Sequence, residues 1–134
     1  KSTYVAERFQ PGDLLLDVDA LLVALSGLPI YDQRRTALLP FALEARHVIL
    51  LRLARTSAVR RAWVVTSESN ARALRRMADD LGATLIVLAV DAAECVRRIE
   101  ADERHVVSGA DWGVIVARWW DEWRTTGGEG EKAR

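Results

Sequence analysis

The stretch LLLDVD, residues 14–19, decides the fold class, because three consecutive leucines lead directly into carboxylates. It predicts a short buried strand that ends on Asp17 and Asp19. Residues 62–66 (AWVVT) predict a second strand, and residues 84–90 (TLIVLAV) predict a third. The third is nearly all apolar and rich in β-branched residues, which is typical of strands covered on both faces of a parallel sheet. Strands that alternate with helical segments in this way predict an α/β fold.

The segments around these strands carry helical patterns. They are residues 2–9, 20–25, 34–56, 71–81, 92–103 and 112–124. Pro40 predicts a kink or a break in the longest of them. Residues 67–70 offer N-caps and Gly82 offers a C-cap to the fourth, whereas Asp91 and Asp111 can cap the last two.

Composition predicts one soluble domain. The chain has 134 residues, half of them hydrophobic, with 19 basic and 19 acidic side chains, as is ordinary for a globular protein. Neutral charge argues against a protein that coats nucleic acid by bulk attraction. The apolar runs are too short to span a bilayer, and the single cysteine, Cys95, suits a buried structural thiol. We expect a cytoplasmic protein with one domain over residues 1–124 and a disordered tail over residues 125–134.

Arginine is concentrated between residues 34 and 61, a stretch that contains seven arginines and only one acidic residue, Glu44. They are Arg34, Arg35, Arg46, Arg52, Arg55, Arg60 and Arg61. The stretch is either a solvated helix face or a groove lined for phosphates, which arginine binds through its planar fork.

The first three residues, Lys1, Ser2 and Thr3, lead straight into a predicted helix. When a glycine loop precedes such a triplet, the lysine reaches the β- and γ-phosphates of a nucleotide and the hydroxyl ligates magnesium. The strand of residues 14–19 follows after about one helix and one loop, and ligands of open α/β sheets bind at the carboxyl ends of strands.

With this triplet and strand, the chain resembles the P-loop kinases, in particular polynucleotide-kinase-like ATP-binding domains and their small, often phage-encoded relatives. The resemblance covers Lys1 to about Trp123. It implies a three-layer α/β fold with a mainly parallel sheet flanked by helices, and it implies ATP and Mg²⁺ as ligands. It also implies that the glycines and the central strand precede Lys1, because the sheet would otherwise leave two buried edges unpaired between the strands of Trp63 and Leu85.

The resemblance also implies roles for individual residues. Lys1, Ser2, Thr3 and Arg97 would bind the nucleotide, and Ser2 and Glu68 would hold or support the metal. Asp19 would be the base on the accepting hydroxyl, with Asp17 as its competitor. Arg98 and Arg104, together with Arg97, would neutralise charge on the transferred phosphoryl group.

The chain departs from the family pattern at three places. The resemblance therefore supports nucleotide binding better than it supports any particular phosphoryl acceptor. Leu22 stands where the polynucleotide kinases carry an arginine three residues after the base. Their third-strand turn begins with an aspartate, and this chain has Thr66 and Ser67 there. Arg98 and Arg104 are six residues apart, whereas the family's lid arginines are about one helical turn apart.

Each of these groups also has a structural interpretation. Asp17 and Asp19 can serve as an N-cap and a turn residue. The arginines of residues 97–104 can pair along a helix with Glu94, Glu100 and Asp102. The tryptophan-rich stripe of residues 112–123 could stack nucleic-acid bases, but it is better explained by packing of a terminal helix onto a sheet.

The sequence therefore predicts an ATP-dependent kinase or an ATPase. Its acceptor would be a nucleic-acid 5′ hydroxyl or the hydroxyl of a small molecule. The alternative is a catalytically degenerate P-loop scaffold that binds nucleotide or only a partner. A nucleic-acid-binding module is a third hypothesis, which the neutral charge disfavours.

Overall fold

The computed structural model describes residues 1–30, 32–102 and 111–128 as a mixed α/β protein that is mostly helical. The chain divides into two units, Lys1–Ser67 and Glu68–Arg134, and each is described by itself below. In the described part of the chain, no helix is long and apolar enough to cross a membrane.

The first unit contains the two strands that the structure describes. Its elements are α1 (Ser2–Ala6), β1 (Leu14–Leu16), α2 (Val18–Ser26), a 3₁₀ helix (Gln33–Leu38), α3 (Leu39–Leu53) and β2 (Ala62–Val64). The expected break at Pro40 is confirmed, because α3 begins beside it and carries the proline in its first turn.

β1 and β2 pair in parallel, with Leu14 opposite Ala62 and Leu16 opposite Val64. The ladder continues past the strand ends, where the Val65 amide donates to the Leu16 carbonyl at 2.9 Å. Leu16 is 1% exposed, so the apolar stretch is buried at the point where the strand ends. The α/β class is thus confirmed in its coarser form: the described residues are mostly helical and their strands form one two-stranded parallel sheet.

The first strand ends earlier than its sequence suggests. Asp17 is the N-cap of α2, and its Oδ1 accepts the Asp19 amide at 3.0 Å. The expectation that Asp17 and Asp19 lie on the strand is wrong, because a short carboxylate that captures a nearby amide favours a helix start over a ladder.

Asp13 holds the amino ends of both strands together. Its carboxylate accepts hydrogen bonds from the Gln10 amide at 3.0 Å, Arg61 Nε at 2.8 Å and Trp63 Nε1 at 3.1 Å. The Asp13 side chain has no solvent-exposed surface. The Arg61 hydrogen bond is the largest of the effects that lower the pKa of Asp13 to about 2. We call this arrangement the Asp13 clamp.

The second unit is helical in its described residues. It comprises α4 (Ala71–Leu81), α5 (Ala92–Glu100) and α6 (Trp112–Thr125). The expected caps are confirmed: the side chains of Asn70, Asp91 and Asp111 accept amides of the first turns, and Gly82 ends α4 with a φ of 58°.

The third predicted strand, residues 84–90, is not a strand. Leu85 and Val87 instead pack against a core formed by Ala71, Leu74 and Trp123. Apolar and β-branched composition predicts burial, but a strand also needs a neighbour for its backbone, and no ladder forms here among the described residues.

Trp123 lies at the centre of this core of the second unit. Its ring stacks on Trp119 at a centroid distance of 5.7 Å, and it packs on α4, whereas a sheet was expected. The segment after α6 continues the packing, because the Thr126 hydroxyl accepts the Ala71 amide at 2.9 Å and the Gly128 amide donates to the Trp123 carbonyl at 2.7 Å. Residues 126–128 of the expected tail therefore make ordered contacts, and residues 129–134 lie outside the described residues.

We predict that Gly128→Ala destabilises the second unit. A Cβ at residue 128 would lie 2.3 Å from Cε2 of the Trp123 ring, so the indole or the backbone at residue 128 must move. Overpacking of this kind costs about 1–3 kcal/mol. Urea unfolding followed by circular dichroism measures the change, and Thr125→Ala, an exposed neighbour, should cost less than about 0.5 kcal/mol. Equal stability of Gly128→Ala and the wild type would contradict the close approach.

We also predict that Asp13→Asn weakens the first unit in a pH-dependent way. A carboxylate whose folded pKa is depressed stabilises the fold above its unfolded pKa, and this stabilisation disappears as the pH falls from about 4 to about 2. Wild type and Asp13→Asn should therefore differ most in urea midpoint above pH 4 and converge towards pH 2. Glu7→Gln, at an exposed pair with Arg8, should show little difference at any pH. A constant gap between wild type and Asp13→Asn across this range would rule out the clamp as the titrating group.

Candidate functional site

Three chain segments meet where the parallel strands end. Asp17 directly follows β1, and Thr66 lies two residues after β2. The Lys1 ammonium donates a hydrogen bond to the Thr66 carbonyl at 3.0 Å. The first residue is thus tied to the carboxyl end of β2, which is the edge at which open α/β sheets bind ligands.

The ammonium of Lys1 interacts electrostatically with two carboxylates. Desolvation lowers the pKa of Lys1, and the negative charges of Asp17 and Asp19 act in the opposite direction. We name Lys1, Asp17, Asp19 and Thr66 the carboxyl-edge cluster. It joins one cation to two anions, which is a suitable arrangement for binding a phosphate through the lysine beside a group that can accept a proton.

The two aspartates of this cluster differ in what they can do. The Asp17 carboxylate is committed to the Asp19 amide as the N-cap of α2. The Asp19 side chain lies in the first turn of the same helix and is 44% exposed. Asp19 is therefore the more accessible of the two carboxylates, whereas Asp17 holds the backbone of the first turn.

Sequence reasoning did not single out Arg35. Its side chain is 5% exposed, and its guanidinium lies 3.7 Å from Asp19 Oδ1. Arg35 was counted only as one member of the arginine-rich stretch, and no local spacing links it to an aspartate 16 residues earlier. Its burial could be inferred only from the contact of the 3₁₀ helix with α2.

Four of the seven clustered arginines contact aspartates within the first unit. Arg34 pairs with Asp32, Arg35 with Asp19, and both Arg60 and Arg61 with Asp13. The pairing of Arg34 with Asp32 lowers the pKa of Asp32 to about 2. Arg35, Arg60 and Arg61 therefore join segments that are distant along the chain, whereas Arg34 pairs with a residue of its own turn and is 74% exposed.

Ser2 and Thr3 lie in the first turn of α1, and both are exposed. Glu68 lies in the second unit, where its Oε1 accepts the Asn70 amide at 2.9 Å just before α4. Across the described residues, no group of three or more His, Cys, Asp or Glu side chains is arranged to hold a metal ion.

Arg97 and Arg98 lie on α5 in the second unit, and both bind Glu94. The N–O distances are 2.7 Å for Arg97 and 2.5 Å for Arg98. The hydrogen bond from Arg97, followed by that from Arg98, lowers the pKa of Glu94 to about 2. The pairing along the helix that was considered from the sequence is therefore present for these two residues. Arg104 lies outside the described residues.

No protein-family model matches this chain, and neither a curated protein nor a solved structure matches it.

Proposed function

We propose that this chain binds ATP with Mg²⁺ and transfers the γ-phosphoryl group to a hydroxyl acceptor. The observation that carries the proposal is the carboxyl-edge cluster, in which Lys1 contacts the end of β2 and interacts with the aspartates that follow β1. A lysine at the start of a helix, close to an aspartate that follows a parallel strand, resembles the arrangement that P-loop kinases use for phosphate and acceptor.

The proposed fold is the three-layer P-loop type, with a mainly parallel sheet between helices. The parallel pairing of β1 with β2 supports it. This pairing occupies one edge of β2, and the opposite edge carries no strand among the described residues. A central strand would pair at that edge in a P-loop sheet.

Each residue of the cluster has a proposed role. Lys1 would bind the γ-phosphate, next to the hydroxyls of Ser2 and Thr3. Asp19 would accept the proton of the acceptor hydroxyl as its oxygen attacks the γ-phosphorus and the bond to ADP breaks. Asp17 would hold the first turn of α2, so that the carboxylate of Asp19 faces the acceptor.

Oxygen donors suit Mg²⁺, which typically takes one or two protein ligands and fills its shell with phosphate oxygens and water. The exposed hydroxyl of Ser2 fits that requirement without a cage of carboxylates. The metal would neutralise charge on the phosphates. Glu68 is the less suitable of the two proposed metal residues, because its carboxylate already accepts the Asn70 amide.

Arg97, Arg98 and Arg104 would supply positive charge to the transferred phosphoryl group. Arg97 and Arg98 would have to exchange Glu94 for phosphate oxygens to do so. Their side chains are 70% and 64% exposed, so this exchange needs no repacking of a core.

A degenerate P-loop scaffold is the second candidate. The pairing of Arg97 and Arg98 with one acid favours it, because arginines engaged on their own helix are typical of a solvated surface. A scaffold would bind nucleotide or a protein partner without phosphoryl transfer.

The test is ATP·Mg²⁺ binding by calorimetry with the full-length protein, together with transfer of labelled phosphate to an oligonucleotide 5′ hydroxyl and to nucleosides. Lys1→Met should weaken ATP binding at least about tenfold, or about 1.4 kcal/mol, because it removes the only cation assigned to the γ-phosphate within the carboxyl-edge cluster. Asp19→Asn should keep the affinity and lower kcat about 10²- to 10⁴-fold. Arg8→Met, which lies just after α1 and is paired with Glu7, is the control and should match the wild type.

Three other outcomes would decide against the proposal. Absence of binding heat would remove nucleotide binding altogether. Binding without transfer would support the scaffold, and phosphate release that is independent of every acceptor would indicate an ATPase.

A further inference from the structure

Arg35 is a charged side chain that the roles proposed above leave unused. It lies in the 3₁₀ helix Gln33–Leu38, and its side chain is 5% exposed. Burying a guanidinium carries a large desolvation cost, which only well-placed oxygens can offset. The oxygens around Arg35 therefore indicate what the buried charge is for.

Asp19 supplies two of those oxygens. The Arg35 guanidinium donates to the Asp19 carbonyl at 3.3 Å and lies 3.7 Å from the Asp19 carboxylate. A third contact joins Arg35 Nε to the Asp32 carbonyl at 3.4 Å and fixes the arginine to its own turn. One guanidinium thus holds both the main chain and the side chain of Asp19.

We infer that Arg35 is a positioning residue for Asp19, holding the carboxylate in the direction from which it accepts the proton of the acceptor hydroxyl. The inference rests on the proposed phosphotransfer. With so little exposed surface, Arg35 does not touch the substrate itself, and its effect passes through Asp19.

Asp19 needs a second cation besides Lys1 to keep its carboxylate directed at the acceptor. Lys1 also attracts the Asp19 carboxylate, and Lys1 is exposed whereas Arg35 is packed. Without Arg35, the carboxylate could turn towards the ammonium, and the phosphate-binding cation and the base would neutralise each other. The buried arginine prevents this turn, because its planar guanidinium is held between oxygens of Asp19 and Asp32.

The experiment compares Arg35→Met and Arg35→Lys, each alone and combined with Asp19→Asn, in the full-length protein. With Asp19 present, Arg35→Met should lower kcat about tenfold or more, since small misplacements of a reacting group have effects of this size. The Kd for ATP·Mg²⁺ should stay within about twofold in the same variant, because Arg35 acts only on Asp19. Arg35→Lys should lower kcat less than Arg35→Met does, because lysine keeps the positive charge, although it lacks the planar guanidinium. Arg8→Met is the control and should leave kcat unchanged.

The double variants separate positioning from a general structural role. Once Asp19 is Asn, changing Arg35 should reduce the remaining activity no further, because nothing is left to position. Equal losses of activity in both backgrounds would overturn the inference, and so would a folded Arg35→Met or Arg35→Lys with the kcat of the wild type.

Two further results keep the inference testable. If circular dichroism shows that Arg35→Met is unfolded, Arg35→Lys alone tests the inference. Its kcat is then compared with Asp19 present and with Asp19→Asn. If the wild type transfers no phosphate, the proposed function and this inference fail together, whereas additive losses in an active protein overturn only the role of Arg35.

Discussion

The Asp13 clamp is the interaction on which the first unit depends. Strands of three residues form too few ladder bonds to fix their own register, so the register must be set from outside. Asp13 does this by joining the loop before β1 to Arg61 and Trp63 at the start of β2. Because the amino ends of β1 and β2 are aligned, their carboxyl ends are aligned as well. Asp17 and Thr66 therefore lie at the same edge of the sheet. A carboxylate at one end of the sheet thus determines the geometry of the candidate site at the other.

Features governed by neighbouring residues could be predicted from the sequence. The caps at Asn70, Asp91 and Asp111, the glycine end of α4 and the break at Pro40 all depend on contacts within a few residues. The side chains of the caps accept amides that lack partners in the first turn of any helix, which makes their effect independent of the rest of the fold.

Features governed by distant partners could not be predicted. The composition of residues 84–90 indicates burial, but it does not say whether a neighbouring strand or a helix core provides it. Trp123 likewise packs on α4 where a sheet was expected. The burial of Arg35 depends on how the 3₁₀ helix meets α2, and no periodicity in the sequence reports that contact. The resemblance implied separate roles for Lys1, Asp17 and Asp19, but it did not predict the contact of Lys1 with Thr66 or its electrostatic interaction with the two aspartates.

The central claim is that the carboxyl-edge cluster binds the phosphates of a nucleotide. The most direct test is an amide chemical-shift titration of the labelled full-length protein with a non-hydrolysable ATP analogue and Mg²⁺. We expect the largest shifts at the amides of Ser2, Asp17, Asp19 and Thr66, and almost none at the amides around Asp13. Shifts confined to other parts of the chain, or no shifts at saturating analogue, would contradict it.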